Sequence, residues 1–362
     1  MQKIPLVDVR AQFAHLIPQL EERFREVVES GQYIRGPHYW AFQEEAAAYL
    51  GVRRTVGVAN GTDALVLVLD ALEIGPGDEV ICPAFTFYAT AESIARRGAT
   101  PVFADIDPVT LNVDPEDVAA KVTARTRAIM PVHLFGRPLP LEPLVELGLP
   151  IIEDAAQAFG APGVATLGTV ATYSFFPTKN LFCLGDGGLV ATSDEELAER
   201  VQVLAFHGSR DKTDFDFVGY NSRLDELQAG MLRLFLPQLA AWNRGRREAA
   251  ARYAELGLGD LVELPRDEPG HIYHLLVCRS PERDAIRAAL SEAEIASGVY
   301  YTTPLHLQPA LRFLGYEPGS LPETERVAGD NFSLPLWAGI PAAMQERVVD
   351  TVRSAVGVVS RA

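Results

Sequence analysis

Between residues 50 and 195 the chain keeps repeating one unit, a short β-branched run followed by a helical stretch. Candidate strands fall at 54–59, 79–82, 101–105, 127–132, 150–153, 172–176 and 188–192. Runs such as AIMPV and PIIED are apolar on both alternating faces. That is the pattern of strands covered by helices on each side. One helix opens at Thr62 after the Asn60-Gly61 turn and reaches Leu72, and another covers 89–97 and stops at Gly98. The alternation predicts an α/β fold around a mainly parallel, seven-stranded sheet.

After about residue 222 the texture changes. Residues 224–254, rich in Leu, Ala and Arg, read as one or two long helices. EPGHIYHLLVCRS then reads as a strand, and 281–292 as a helix. The expectation is a large domain over 1–240 and a smaller α+β domain over 241–362, with a helix running through the boundary. No internal repeat or low-complexity tract interrupts the 362 residues.

Charge and cysteine usage narrow the partners. The formal charge is −16, from 32 basic and 48 acidic residues. So acidic a surface argues against broad binding of nucleic acid or anionic membrane, while leaving room for a phosphorylated ligand at a locally positive site. Cys82, Cys183 and Cys278 are odd in number and widely spaced, which suits no disulfide framework or zinc site. The opening MQKIPLVDVRAQF lacks the apolar region of a signal peptide, and no apolar run approaches the roughly 18 residues of a membrane span. A cytoplasmic protein is expected.

Three stretches carry chemistry. In VANGTDAL a strand ends, Asn60-Gly61 turns the chain, and Thr62-Asp63 begin a helix. The free N–H groups of such a helix start can hold a phosphate, although the same residues also make an ordinary N-cap. In LPIIEDAAQAFGA an apolar strand delivers Glu153 and Asp154 at its C-terminal end, where open α/β sheets bind ligands. On this stretch alone the simpler reading is that Asp154 caps a helix. In TYSFFPTKNLFCLGDGGLV, Lys179 stands among apolar residues. Desolvation there favours the neutral, nucleophilic amine, against the alternative of a lysine snorkelling to solvent. The following GDGG turn leaves room for a cofactor to come close to the backbone. A G-x-G-x-x-G fingerprint and a Walker loop are both missing, which disfavours a dinucleotide-dependent oxidoreductase. A phosphate cradle, a strand-end carboxylate and an apolar lysine together match the needs of pyridoxal phosphate (PLP): an anion site, a partner for the pyridine nitrogen, and an amine for the aldehyde.

The motifs SGQYIRGP, VANGTDALVLVLDALEIGPGDEVICPAFTFYATA, GATPVFADIDPVTLNVDP, PVHLFGRP, IIEDAAQAFGA, SFFPTKNLFCLGDGG, GYNSRLDELQAG and YYTTPLHLQPA occur in this order. In them the chain resembles the DegT/StrS-type nucleotide-sugar aminotransferases of the type I PLP-transferase fold. The resemblance implies that Lys179 is the Schiff-base lysine and proton carrier, and that Asp154 pairs with the pyridinium nitrogen. It implies that Gln157 bonds the phenolic oxygen, that Gly61, Thr62 and Ser174 hold the phosphate, and that Phe87 stacks on the ring. Asn221 matches a residue that reaches the phosphate of a neighbouring subunit, so a homodimer with shared sites is implied. His133, His207, Tyr301 and His306 are candidates on the substrate side. The implied substrates are an amino-acid donor, L-glutamate, and a nucleotide-linked keto-sugar. PAFTFYATA together with GTVATYSFFPTK looks more like the 3-keto than the 4-keto branch. Two departures bear on this. The segment between Gly160 and Ser174 is shorter than is usual, which weakens substrate assignment. Lys179 stands where related sugar dehydratases carry histidine, which favours transamination over dehydration. A non-catalytic regulatory protein on the same fold is the other alternative.

Overall fold

A computed structural model of the chain describes residues 3–359. Seven strands form the larger sheet system: β1 (Arg54–Val58), β2 (Glu79–Pro83), β3 (Thr100–Ala104), β4 (Thr126–Ile129), β5 (Ile152–Asp154), β6 (Val170–Ser174) and β7 (Gly188–Thr192). They pair as two ladders, β1-β7-β6-β5 and β3-β2-β4. Parallel bridges Ile129–Ile151 and Val132–Asp154 join the ladders, so the seven strands follow one another in a single order. The ladders are parallel except around β7, which runs antiparallel to both β1 and β6. Each predicted strand appears within two or three residues of its expected bounds. β4 ends early because beyond Ile129 only single backbone bonds continue, Met130 N to Ile81 O on β2 and Asp154 N of β5 to Pro131 O, rather than a full ladder.

Covered on both faces, the sheet buries its strands nearly throughout. One apolar cluster packs Val56, Val80, Phe103 and Ile152 against helices Gly61–Ala71, Ala89–Arg96 and Glu195–Ala205. A second packs Tyr173, Phe175 and Leu189 against Pro37–Leu50 and Glu226–Phe235. Residues 224–254 resolve into two helices, Glu226–Phe235 and Leu239–Glu255, separated by a single turn at Leu236–Gln238 that contains Pro237.

A third cluster belongs to the C-terminal part. There β8 (Leu276–Arg279) and β9 (Asn331–Leu334) pair antiparallel beneath Arg283–Glu292 and Ala342–Val359. The cluster also takes Ile4, whose backbone bridges to Ile295, so the start of the chain is tied to its end. None of the described helices is long and apolar enough to cross a membrane.

Candidate active site

The ends of the central strands set the site. Val58 and Ser174, at the ends of β1 and β6, both lie in register with Gly188, the first residue of β7. The turn after β1 therefore sits directly over Gly188 and beside Ser174. Asn60 caps the next helix, its side chain accepting from the Asp63 N–H at 2.8 Å, which leaves the Gly61 and Thr62 end facing open space. A side chain at 61 would place its Cβ 2.7 Å from that of Ser174, so only glycine lets turn and strand close together. The GDGG glycines have a similar reason. A Cβ at 187 would meet Cys183 Sγ at 2.6 Å, and one at 188 would meet the Asn60 carbonyl at 2.4 Å. These glycines serve the approach of one protein segment to another, where flexibility toward a ligand had been expected.

A cavity of about 850 Å³ opens over these strand ends, and it is lined by Gly61, Thr62, Phe87, Asp154, Gln157, Ser174, Lys179 and Tyr301. Seven of the eight expected cofactor residues thus reach one cavity, together with Tyr301 from the substrate-side group. Asp154 is buried, and it accepts from Thr90 Oγ1 at 2.8 Å and from the Ala156 N–H at 3.2 Å. Burial pushes its carboxyl upward, while Thr90, the Ala156 amide, Lys179 and His133 oppose that rise. Gln157 is locked at both ends: its Oε1 accepts from Phe135 N at 2.7 Å and its Nε2 donates to the Tyr301 hydroxyl at 3.1 Å. Phe87 keeps more than half its surface free at the cavity wall.

Lys179 shows part of its surface, and that part faces the cavity. Desolvation pushes its amine down to about 8, with the Asp154 carboxylate pulling the other way. Near neutral pH an appreciable fraction is therefore the neutral nucleophile.

Four expected residues do not line this cavity. His133 is buried behind it. Its Nδ1 accepts from the Leu139 N–H at 3.0 Å and its Nε2 lies 2.8 Å from Glu153. With Nδ1 accepting, Nε2 carries the proton and donates to the carboxylate. Glu153 in turn accepts from Ala165 N and Gly168 N, so the pair fastens the short 161–169 segment to β5. His306 is buried against Phe103 and Tyr316 and pairs with Glu325 at 3.0 Å. His207 and Asn221 are exposed side by side, joined through the Phe206–Asn221 bridge. The 211–220 stretch next to them is largely exposed. Thr90 and His274 are among the lining or supporting residues missed from sequence. Thr90, in PAFTFYATA, lies in the first turn of the helix Ala89–Arg96, its hydroxyl beside that of Thr86, and bonds Asp154. His274, in HIYHLLV, lies on the cavity wall.

The model for the DegT/DnrJ/EryC1/StrS aminotransferases matches residues 16–353. The chain belongs to that family. As a DegT-type aminotransferase it works with PLP, and the lining fits that cofactor: a glycine-closed helix start for the phosphate, a buried carboxylate, and a desolvated amine. A Geobacillus stearothermophilus protein named a pleiotropic regulatory protein is 46% identical over 96% of this chain and 97% of its own length. The UDP-N-acetyl-3-dehydro-alpha-D-glucosamine 3-aminotransferase of Acidithiobacillus ferrooxidans is 42% identical over 97% of each chain. In structure, DesV of S. venezuelae superposes with a TM-score of 0.95 at 40% identity, covering 98% of this chain and 99% of that one.

Proposed function

We propose that this DegT-type aminotransferase moves an amino group from L-glutamate to the 3-keto position of a sugar carried on a nucleoside diphosphate. The observation that carries the reading is the convergence of Lys179, Asp154 and the Gly61-Thr62 helix start on one cavity. The A. ferrooxidans relative, named for 3-amination of a nucleotide sugar, supports the position aminated. When bound, PLP supplies an aldehyde carbon that carries the amino group and a ring that accepts electron density.

The chain's own residues do the rest. Gly61, Thr62 and Ser174 hold the phosphate, and Asp154, kept in place by Thr90, faces the ring nitrogen as a carboxylate. Gln157, fixed by Phe135 N and Tyr301, addresses the ring's hydroxyl side. Phe87 stacks on the ring. Lys179, its amine desolvated and lowered to about 8, would hold the cofactor's aldehyde carbon and move a proton at its ε-nitrogen.

Tyr301 borders the sugar. His133 and His306 act as internal fasteners through Glu153 and Glu325. Asn221 and His207 stand on the outer surface, so they meet a cofactor only across a homodimer contact, where Asn221 reaches the partner's phosphate. The separate C-terminal core supports two domains, 1–240 and 241–362. Three buried, unpaired cysteines suit the cytoplasm.

A regulatory role without catalysis, suggested by the name of the G. stearothermophilus relative, would not require a desolvated amine facing a buried carboxylate. The deciding experiment is the visible spectrum of the PLP-loaded protein before and after L-glutamate. The long-wavelength band should bleach on addition of glutamate, and should return with a nucleotide-linked 3-keto-sugar. A band indifferent to every amino donor would sink the aminotransferase reading.

A further inference from the structure

The chain carries a formal charge of −16, yet three of its cations gather on one aromatic ring. The Arg35 guanidinium stands 4.3 Å from the centroid of Phe206, the Lys212 ammonium 5.0 Å and the Arg223 guanidinium 5.4 Å. Arg35 also lies 4.9 Å from the Trp40 ring. None of the three has a carboxylate partner among the described residues, whereas Arg210, close by in sequence, pairs with both Glu199 and Asp216. Like charges brought together repel, and the aromatic faces offset only part of that. An anion set among them reverses the balance.

The backbone holds these cations in place. Arg35, His207 and Lys212 have left-handed φ values of 54°, 63° and 66°, which a residue with a Cβ keeps only where its surroundings enforce them. The Arg35 loop is pinned by the Glu226 N–H, which donates to Tyr33 O at 3.0 Å, and by the Ile34–Asp225 bridge. Lys212 N donates to Ser209 Oγ at 2.8 Å, and His207 N to Tyr220 O at 2.8 Å. Phe206 is buried beneath them as a fixed platform.

The cavity shows the complementary lack. Its lining carries the carboxylates of Asp63, Glu92, Asp154 and Asp186, against the cations Lys179 and Arg96. Lys179 serves the cofactor, and Arg96 already lies 3.6 Å from Glu92. A diphosphate entering the cavity therefore meets an unbalanced negative wall in that chain. The Phe206 cluster stands on the surface that carries Asn221: Phe206 bridges to Asn221, and Arg223 donates to its Oδ1. In the dimer that brings Asn221 to the partner's phosphate, the cluster arrives at the same cavity.

We propose that Arg35 and Lys212, seated on Phe206, bind the diphosphate of the nucleotide-linked sugar in the partner's cavity. The planar guanidinium of Arg35 donates to two phosphoryl oxygens, and Lys212 adds a point charge beside it. The inference rests on the homodimer and the nucleotide-sugar substrate of the proposed function.

Inorganic pyrophosphate, which shares the chemistry of every nucleoside diphosphate, is the first probe. It is titrated by calorimetry into the PLP-loaded full-length protein as wild type, Arg35→Gln, Lys212→Gln and the double variant, each checked by a thermal melt. Losing one charge-assisted contact should weaken binding about tenfold, and the double variant should lose more. A double variant that binds as tightly as wild type overturns the proposal. So does a wild type that takes up no pyrophosphate at millimolar concentration. The partner's part is read from a heterodimer that joins a Lys179→Ala chain to a chain carrying both Arg35→Gln and Lys212→Gln. Its one cavity with Lys179 then faces the intact cluster of the other chain. The readout is the concentration of a UDP- or dTDP-linked 3-keto-hexose that half-restores the glutamate-bleached band. It should rise about tenfold or more in the double-variant homodimer and return to the wild-type value in the heterodimer. A heterodimer as weak as that homodimer overturns the shared site. A wild-type band that no such sugar restores marks failure of the substrate reading instead, and the pyrophosphate isotherms still judge the cluster.

Discussion

Replacing Gly188 by alanine should weaken cofactor binding although Gly188 is not itself one of the residues that hold the cofactor. Gly188 opens β7 and pairs with Val58 on one side and Ser174 on the other. An added Cβ would stand 2.4 Å from both Asn60 C and Asn60 O, and 3.0 Å from Gly61 N. Those atoms are backbone, so no rotamer change relieves the contact. Either β7 drops or the Asn60-Gly61 turn lifts. Overpacking of this kind takes about 1–3 kcal/mol. If the turn lifts, most of that appears as lost phosphate affinity, a rise in the PLP dissociation constant of about 5- to 150-fold. If β7 drops, it appears as lost stability, at about 2–4 °C of Tm per kcal/mol. The turn has fewer neighbours than a central strand, so the larger share should fall on affinity. Equilibrium dialysis with PLP and a thermal melt of the cofactor-free chain measure the two shares. Wild-type affinity together with a wild-type melt would refute the packing argument.

Three further outcomes follow from the same geometry. Thr90→Val removes the 2.8 Å donor that holds the Asp154 carboxyl down against burial, so Asp154 protonates at higher pH. The acid limb of the activity profile should move up by about one unit, and an unmoved limb would contradict the role of Thr90. Lys179→Met should stabilise the cofactor-free chain. The amine is held at about 8 against an ordinary 10.5, so the fold disfavours its charged form. The penalty is complete below the folded value and fades as pH rises toward the unfolded one. A gain of about 1–3 kcal/mol at neutral pH, vanishing in alkali, is expected from denaturant melts. Asn221→Ala should raise the PLP dissociation constant about 3- to 10-fold although Asn221 lies outside its own chain's cavity. Unchanged affinity, or a monomer by sedimentation, would remove the shared site.

How much of this was legible depended on whether a residue's role is set by its neighbours in sequence. The strands, the Asn60-Gly61 helix start and the strand-end Asp154 were readable because each is defined by a local pattern of turn residues and apolar runs. Lys179 was readable as apolar in its surroundings, and the structure adds the cause of its depressed amine. The place of β7 was not readable, since nothing local says that a strand will enter antiparallel between β1 and β6. For the same reason the GDGG glycines looked like a ligand approach, when their nearest neighbours are Cys183 and Asn60. Histidines were the poorest guide. His133 and His306 each found a carboxylate partner 19 or 20 positions away, and no pattern around either predicts it. His274 drew no notice because its strand pattern, HIYHLLV, accounts for it as core; only its unpartnered nitrogen sets it apart.

The central claim is that Lys179 holds the cofactor. Borohydride reduction of the PLP-loaded protein, followed by peptide mapping, tests it with no substrate needed. The account predicts one phosphopyridoxyl group per chain, on the peptide containing Lys179 and absent from Lys179→Ala. A label on any other lysine, or none at all on a folded protein, would contradict it.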